Sequence, residues 1–363
     1  MDGTRAKKRI AIVVGTRGEL VGMAPLIKEA EIRHQKILFI HTGQHYDSIL
    51  YRNLLSDLEL PQPDYFFGRA PRHYGKQIAR ALMRIERILL DEKPDVVLAQ
   101  GNNNATVASA LACVVTRVPF GHMESGVRHE YFLGDTNRRL AERVARYCFA
   151  PFKQAAVNLA SDGIPTDRIH LYGDTYLDAV KLYSAKIRSS RILERLELKS
   201  QSRPLVVVSV HTAPHREPEF LRKFLRKLQS LNCNVVWSLH PAIKDELNRI
   251  SSSRSPGNVR LDPSIGYSDF HCLLSHSSCV VTDSGVTQEE AYLHSKPSIT
   301  IVNREVRNSP YPMLVRNGWI TILRDLSKLG EVLNSAMRKP RAKPNLRIFG
   351  NGKASRRILD MFR

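Results

Sequence analysis

The ten residues TDSGVTQEEA, 282–291, directly follow the short apolar run CVV at 279–281. This pattern predicts a buried parallel strand, then a turn, then a helix that starts near Gln288. Unbonded N–H groups and the helix dipole favour an anion at such a helix start. Ser284 can add a hydroxyl donor there, and the Glu290 carboxylate can accept two ribose hydroxyls. We therefore expect this stretch to hold the diphosphate and ribose of a nucleotide. The alternative is an ordinary strand–turn–helix junction with a polar capping residue.

Apolar strand-like runs and segments of helical spacing alternate along both halves of the chain. One series ends near residue 172, and a second begins at residue 205 after a polar segment that closes with Pro204. Unbroken alternation of this kind predicts a parallel sheet with helices on both faces. The fold class that we expect is therefore α/β, with two doubly wound Rossmann-like domains.

The same pattern predicts the domain boundaries. The N-terminal domain is expected over residues 1–180 and the C-terminal, nucleotide-binding domain over 200–345, with a connecting helix and linker at 181–203. A last helix, 350–363, is expected to pack back on the first domain. Candidate polar residues follow strands in both domains, so the domains are predicted to face each other across a cleft that holds the site.

Composition sets broad limits on the class of protein. The chain has 363 residues, of which 42% are hydrophobic and 25% charged, as in an ordinary globular protein. No apolar run approaches the roughly 20 residues of a membrane span, and the first residues lack the apolar core of a signal peptide. The five cysteines form no Cys-x-x-Cys pair. This indicates buried thiols in a reducing cytoplasm and argues against a zinc site or disulfides.

The charge balance is unusual, because 55 lysines and arginines outnumber 35 acidic residues and give a formal net charge of +20. One interpretation is a solvated basic surface. The other is a polyanionic partner, such as nucleic acid or an anionic membrane face. The cations are densest near the end of the chain, between Arg338 and Arg357.

Several motifs together carry a resemblance to a known family. They are GTRGEL at 15–20, TGQHYD at 42–47, QGNN at 100–103, GHMESGVR at 121–128, TDSGVTQEEA at 282–291 and GNGKASRRIL at 350–359. In this order, and over nearly the whole chain, they resemble the non-hydrolysing UDP-N-acetylglucosamine 2-epimerase family. The resemblance implies the two-domain glycosyltransferase-B architecture.

The resemblance also implies the chemistry and its residues. It implies a UDP-sugar substrate, no cofactor, a homodimer, and elimination of UDP across C1–C2 followed by re-addition on the other face. Glu124 matches a catalytic carboxylate. Gln44 and His240 match a second, regulatory UDP-sugar site. The positions that match the substrate-binding residues are Arg17, Arg138, His211, Ser284, Gly285 and Glu290.

The chain departs from the family pattern at the sugar side of the expected site. A catalytic aspartate is replaced by Asn102, which cannot take or give a proton in this role. A glutamate is shortened to Asp135, and a lysine is replaced by Gly22. The second glycine of the SGG motif is Val286. The nucleotide side is therefore largely kept, and the sugar side is altered.

Three hypotheses remain at this point. The first is a 2-epimerase in which Glu124 and Asp135 form the acid/base pair, His211 assists UDP departure and Asn102 hydrogen-bonds the sugar. The second is a UDP-sugar glycosyltransferase with Glu124 or His211 as base and a polyanionic or lipid-linked acceptor. The third is a catalytically inactive UDP-sugar-binding protein. His215 is a second candidate for the functional histidine, but His211 is favoured because it directly ends a strand.

Overall fold

The computed structural model describes residues 8–44, 48–128, 132–199, 202–212, 215–250, 257–302 and 308–363. The chain divides into two compact units, Met1–Leu182 with Leu346–Arg363, and Tyr183–Asn345. Each unit is built on one parallel sheet whose successive strands are joined through helices. The predicted α/β class with two doubly wound sheets is thus confirmed.

The first unit contains a seven-stranded sheet in the order β3-β2-β1-β4-β5-β6-β7. Its two central strands are buried throughout and aliphatic except for Gln100, as expected for strands that are covered on both faces. The strands are β1 Ile10–Val14, β2 Ile37–His41, β3 Tyr65–Phe66, β4 Val96–Gln100, β5 Phe120–Met123, β6 Tyr147–Ala150 and β7 Ile169–Leu171. The helices are α1 Arg17–Ile32, α2 Ser48–Asp57, α3 Tyr74–Glu92, α4 Asn104–Thr116, α5 Phe132–Val144, α6 Lys153–Ser161, α7 Thr175–Leu182 and, at the end of the chain, α16 Ala354–Asp360.

The second unit contains a six-stranded sheet in the order β10-β9-β8-β11-β12-β13. Its largest fully buried side chain, Trp237, packs edge-on against Phe224 at a ring-centroid distance of 5.0 Å. The strands are β8 Leu205–Ser209, β9 Asn234–Ser238, β10 Val259–Asp262, β11 Cys279–Thr282, β12 Ser298–Ile301 and β13 Ile320–Leu323. The helices are α8 Ser184–Arg188, α9 Ile192–Arg195, α10 Pro218–Gln229, α11 Pro241–Ile250, α12 Tyr267–His276, α13 Gly285–Leu293, α14 Pro312–Arg316 and α15 Leu329–Arg338.

The helical spacing of residues 175–196 predicts one long helix, and this prediction is wrong. The segment forms α7, α8 and α9 with two interruptions. At the second interruption the Ser190 hydroxyl accepts the Ile192 N–H at 3.2 Å and donates to Asp269 at 2.5 Å. A serine side chain that bonds the backbone in this way competes with the helix ladder.

The helix after β11 begins earlier than the sequence pattern predicts. It starts at Gly285 instead of Gln288, with Ser284 as its N-cap residue. Ser284 has an extended backbone, and its hydroxyl accepts the Thr287 N–H at 3.5 Å. The expected turn is therefore shorter, and the N-terminus of α13 lies directly behind the end of β11.

Candidate active site

The β11–α13 junction presents the start of a helix at the C-terminal edge of the second sheet. Ser284 and Gly285 are partly exposed, whereas the helix is buried from Thr287 onward. The first N–H groups of an α-helix have no acceptor within the helix. The junction therefore has the donors and the dipole that an anion site requires.

Asp283 connects this junction to the loop after β8. Its buried carboxylate accepts the His211 N–H at 3.0 and 3.1 Å, the Thr212 N–H at 2.8 Å and the Thr212 hydroxyl at 2.6 Å. It also lies 2.8 Å from Nδ1 of His215. Burial opposes ionisation, but hydrogen bonds and charges from His215, His211 and Thr212 outweigh it and lower the pKa of Asp283 to about 2. Asp283 is therefore an anion that fixes both turns.

The two candidate histidines differ in accessibility. The His211 side chain is 30% exposed, and its ring stacks on that of His240 at 4.9 Å. The His215 side chain is only 3% exposed and packs on Phe220 at 4.5 Å. His215 is thus part of the support around Asp283, whereas His211 presents its ring at the strand end. This geometry favours His211 as the functional histidine.

Glu290 lies on the buried side of α13. Its Oε1 atom is 3.2 Å from Nε2 of His271, a fully buried residue of α12. Nδ1 of His271 is in turn 2.8 Å from Nε2 of His294. Glu290 is therefore held by a chain of two histidines.

In the first unit, Glu124 follows β5 with a φ of 58°, in the left-handed region that side-chain-bearing residues rarely occupy. Its carboxyl is 14% exposed, and Oε2 is 3.5 Å from Nη2 of the buried Arg138. Burial raises the pKa of Glu124 above its usual value, while Arg138, Gln100 and Tyr176 lower it in part. A largely buried carboxyl with a raised pKa in a strained backbone position is characteristic of a catalytic acid or base.

Asn102 lies at the end of β4, near the same edge of the first sheet. Its backbone carbonyl accepts the side-chain amide of Asn137 at 3.2 Å, and that amide also reaches Asn104 at 3.3 Å. The Asn103 side chain caps α4 by accepting the N–H groups of Ala105 and Thr106. The asparagine cluster thus shapes the turn, and the Asn102 side chain is partly exposed beside it.

Gln100 is fully buried beneath this turn, close enough to Glu124 to influence its pKa. Neither polar atom of its amide reaches a partner with hydrogen-bond geometry in the described ranges. A Cβ at position 22 would lie only 2.2 Å from the Gln100 Nε2 atom. Gly22 therefore makes room for the Gln100 side chain.

Asp135 lies in the first turn of α5, and its Oδ2 atom pairs with Nε of Arg139 at 2.9 Å. Arg139 also contacts Asp162 at 2.5 Å, and Asp162 contacts Arg128 at 2.6 Å. Arg128 is paired with the buried Glu142 at 2.7 Å. A chain of alternating charges thus anchors Asp135 to the loop that follows Glu124.

The sequence pattern also predicts a strand at 9–14, a turn at 15–19 and a helix at 23–30; the helix α1 instead begins earlier, with Arg17 as its first residue. Thr16 and Glu19 form a capping box. Burial raises the pKa of Glu19 to about 7, despite the N–H donors of Gly15 and Thr16. Gln44 accepts the Ala105 N–H at 3.2 Å. Residues 45–47 of the TGQHYD motif lie outside the described residues.

A family model described as UDP-N-acetylglucosamine 2-epimerase matches residues 28–363. The chain belongs to this family. The resemblance inferred from the motifs is thus confirmed, and the chain is an enzyme of an isomerase family.

Members of the UDP-N-acetylglucosamine 2-epimerase family align over most of the chain. A UDP-N-acetylglucosamine 2-epimerase of Methanococcus maripaludis is 31% identical over 81% of this chain and 82% of its own. A UDP-2,3-diacetamido-2,3-dideoxy-D-glucuronate 2-epimerase of Pseudomonas aeruginosa is 30% identical over 81% and 83%. The crystal structure of Methanocaldococcus jannaschii UDP-GlcNAc 2-epimerase, in complex with UDP-GlcNAc and UDP, superposes with a TM-score of 0.85 at 27% identity and covers 97% of this chain and 99% of its own.

Within each unit several predicted site residues of this family member directly follow neighbouring strands, and others lie on the helices that come next. His211, Ser284 and Gly285 surround Asp283, and Glu124 adjoins Arg138. Sequence reasoning missed the partners Gln100, Tyr176, Asp283 and His271. Asp283 stands in the opening motif and could have been found, because a carboxylate after a buried strand needs donors. His271 lies in α12, which the apolar pattern does not reveal.

Two of the terminal cations have structural partners. Arg341 donates to the carbonyls of Gly318, Lys339 and Ala336, and Arg357 donates to the carbonyl of Tyr172. These contacts account for part of the basic segment without a polyanionic partner. In the described ranges no three His, Cys, Asp or Glu side chains gather as metal ligands would. Of the helices described, none has the length and hydropathy of a membrane span.

Proposed function

We propose that this protein epimerises UDP-N-acetylglucosamine, or a related UDP-hexosamine, at C2 of the sugar. The single observation that carries the proposal is Glu124, a buried carboxyl with a raised pKa beside Arg138 in a strained backbone conformation. Removal of a C2 proton requires a carboxyl that can change protonation state near neutral pH. The relatives and the solved structure named above are all 2-epimerases, which favours epimerisation over glycosyl transfer.

In the proposed reaction, one carboxylate takes the proton from C2 as the C1–O bond to UDP breaks. The electron pair of the C–H bond forms the C1=C2 double bond, and the pair of the C1–O bond leaves with the phosphate. A carboxyl on the other face then returns a proton to C2, and the phosphate oxygen re-forms the bond to C1. Glu124 and Asp135 are proposed as the two carboxyl groups, and each exchanges its proton with solvent between turnovers.

The remaining predicted residues would bind and orient the substrate. Ser284, Gly285 and Arg17 would bind the diphosphate, and Glu290 the ribose. His211 would stabilise the departing phosphate, because its partly exposed ring is anchored through its own N–H by Asp283. Asn102 and Arg138 would hydrogen-bond the sugar. Gln44 and His240 would belong to a second, regulatory UDP-sugar site.

The choice of sugar is left to the experiment. The two relatives above have nearly equal identity to this chain but are named for different UDP-sugars. The altered positions, Asn102, Asp135 and Gly22, match the sugar side of the site in the family pattern. We therefore propose UDP-N-acetylglucosamine as the first candidate substrate and UDP-2,3-diacetamido-2,3-dideoxy-D-glucuronate as the second.

The test is proton NMR of the protein with each UDP-sugar in D2O, without an acceptor. We expect deuterium to appear at C2 together with the C2 epimer, and Glu124→Gln to slow this exchange by at least about 100-fold. Calorimetry with UDP is the control, because this variant keeps the proposed nucleotide residues. Both sugars bound but fully protonated at C2 would contradict the epimerase proposal and leave a UDP-sugar-binding protein.

We also propose that the protein is a homodimer, as the family resemblance implies. Apolar side chains are exposed on α4 at Leu111, Val114 and Val115, and α4 packs against α3 and α5, which expose further apolar residues. Contiguous exposed apolar surface is typical of an interface between proteins.

A further inference from the structure

We propose that His271 is a positioning residue for nucleotide recognition: it orients the Glu290 carboxylate toward the ribose hydroxyls, and His294 holds the ring of His271 in place for this task. The inference rests on the proposed role of Glu290 in binding the ribose of UDP. It adds a specificity device that consists of the buried His271 and the partly buried His294.

The three side chains form a continuous line across two helices. Glu290 lies on α13, His294 is the C-cap residue of that helix one turn later, and His271 reaches them from α12. The Glu290 Oε1 to His271 Nε2 distance is 3.2 Å, and the His271 Nδ1 to His294 Nε2 distance is 2.8 Å. His271 has no solvent exposure, and the Tyr267 ring covers it at 4.2 Å. The imidazole of His271 is therefore fixed in place on both sides.

These contacts limit where the protons lie. An ionised carboxylate only accepts hydrogen bonds, so Nε2 of His271 must carry the proton that it donates to Glu290. The hydrogen bond between Nδ1 of His271 and Nε2 of His294 requires a proton on one of these two nitrogens. Burial lowers the pKa of His294 to about 3, with the charges of His271 and Lys296 acting in the same direction, so His294 is neutral. A neutral histidine thus holds the ring of His271 in its orientation toward Glu290.

The arrangement suits recognition of a diol. Two neighbouring ribose hydroxyls are donors, and a carboxylate accepts both only when it is ionised and correctly turned. His271 donates to Oε1, and in the described part of the chain Oε2 has no hydrogen-bond partner. Glu290 is 7% exposed, so a small accessible area remains for a ligand.

Helix packing alone does not require this chain of polar groups. Buried polar networks are often no more stabilising than apolar side chains of the same volume. Apolar residues at positions 271 and 294 could join α12 to α13 equally well. What apolar residues cannot supply is an N–H group directed at the carboxylate.

The experiment compares UDP with 2′,3′-dideoxy-UDP by calorimetry in the parent protein and in three variants. His271→Leu removes the donor at similar volume, and His271→Gln retains a terminal N–H donor. His276→Leu is the matched control, because His276 lies on the same helix and, in the described part of the chain, bonds to residues of α12. We expect H271L to bind UDP about tenfold more weakly, with little change for the dideoxy nucleotide, and H271Q to recover most of the loss. H276L should bind like the parent protein.

Several outcomes would overturn the inference. In the first, the H271L variant prefers UDP to the dideoxy nucleotide as strongly as the parent protein does. In the second, the H271L variant loses affinity for both nucleotides equally and has a lower melting temperature. A parent protein that does not distinguish the two nucleotides would refute the ribose contact itself. If H271L does not fold, His294→Leu takes its place: a selective loss for UDP supports the inference, and an equal loss for both nucleotides overturns it.

The inference and the proposed reaction fail separately. A protein that prefers UDP to the dideoxy nucleotide but exchanges no deuterium at C2 would refute epimerisation and leave the role of His271 intact. A protein that exchanges deuterium at C2 but binds both nucleotides equally would refute the role of His271 and leave epimerisation intact.

Discussion

Asp283 shows how one residue can stabilise two neighbouring turns. Its carboxylate satisfies the N–H groups of His211 and Thr212, which follow β8, while its own backbone follows β11. Without these bonds the loop that carries His211 would have unpaired donors next to a buried strand end. The orientation of His211 therefore depends on the ionisation of a residue that need not touch the substrate.

We predict that Asp283→Asn lowers the free energy of unfolding by about 2 kcal/mol at pH 7. The pKa of Asp283 lies about two units below the usual 3.8, and each unit corresponds to 1.36 kcal/mol. Because the pKa is depressed in the folded state, this stabilisation is complete above about pH 5 and is lost as the pH falls toward 2. Urea unfolding at a series of pH values should show that the difference in unfolding free energy between parent and variant, here called the gap, narrows from pH 7 to pH 3. The exposed Asp91→Asn is the control, and a gap that is independent of pH would contradict the prediction.

Gly22 replaces a lysine of the family pattern, and its contact with one residue explains this departure. Any side chain there would meet the Gln100 amide at 2.2–2.6 Å, so the glycine and the buried glutamine belong together. The sequence reveals that the lysine is absent, but it does not reveal that the Gln100 side chain lies against this position. That depends on the direction of the Gln100 side chain, which no periodicity encodes.

At the scale of elements, α16 lies at the end of the chain but belongs to the first unit, where a residue of α7 caps its N-terminus. The buried Asp178 carboxylate accepts the Ala354 N–H at 3.2 Å and the Ser355 N–H at 2.7 Å. These are the first N–H groups of α16, which have no acceptor within the helix. The element is thus held by a capping carboxylate from a distant part of the chain.

We predict that Asp178→Ala destabilises the docking of α16 by about 1–2 kcal/mol, because it removes both acceptors of the cap. Hydrogen exchange followed by mass spectrometry should show roughly tenfold faster exchange in α16, with little change in β8 or β11. Asp360→Ala is the matched control. It removes a partly exposed ion pair of the same helix with Arg33, which is worth less than about 1 kcal/mol. Equal exchange in the two variants would refute the capping role.

The strands were easier to predict from the sequence than the helices. In this fold each central strand is buried on both faces, so it reads as a short continuous apolar run between turn residues. The helices α8, α9 and α12 mix serine, histidine and charged residues, and their stability comes from tertiary packing. Local propensity therefore does not reveal where they start and end.

For the whole molecule, sequence motifs predicted the family, because the motifs occur in its order along nearly the whole chain. They did not predict the supporting residues. Gln100, Tyr176 and His271 approach Glu124 and Glu290 from other elements, and such contacts depend on packing and not on spacing. The choice between His211 and His215 likewise required burial, since both follow the same strand.

The proposed homodimer is a property of the whole molecule, and exposed apolar residues on neighbouring helices support it. On α4, Leu111, Val114 and Val115 are 42%, 52% and 60% exposed, and they share one helical face at spacings of three and four residues. On the adjoining helices, Met83 and Leu90 of α3 and Leu140 and Val144 of α5 are also exposed. A second copy with the same face would cover this surface by two-fold symmetry, the commonest arrangement of soluble oligomers.

We predict that the protein has twice the chain mass in solution and that Val114→Glu converts it to the monomer. A glutamate at this half-exposed position costs little in the isolated chain, but a dimer would bury two like charges close together. Light scattering after size exclusion at micromolar concentration measures the mass. Val157→Glu is the matched control, because Val157 has a similar exposure of 55% but lies on α6, outside the proposed interface helices α3, α4 and α5. A parent protein of single-chain mass would refute the dimer, and a V114E variant that stays dimeric would place the interface on another surface.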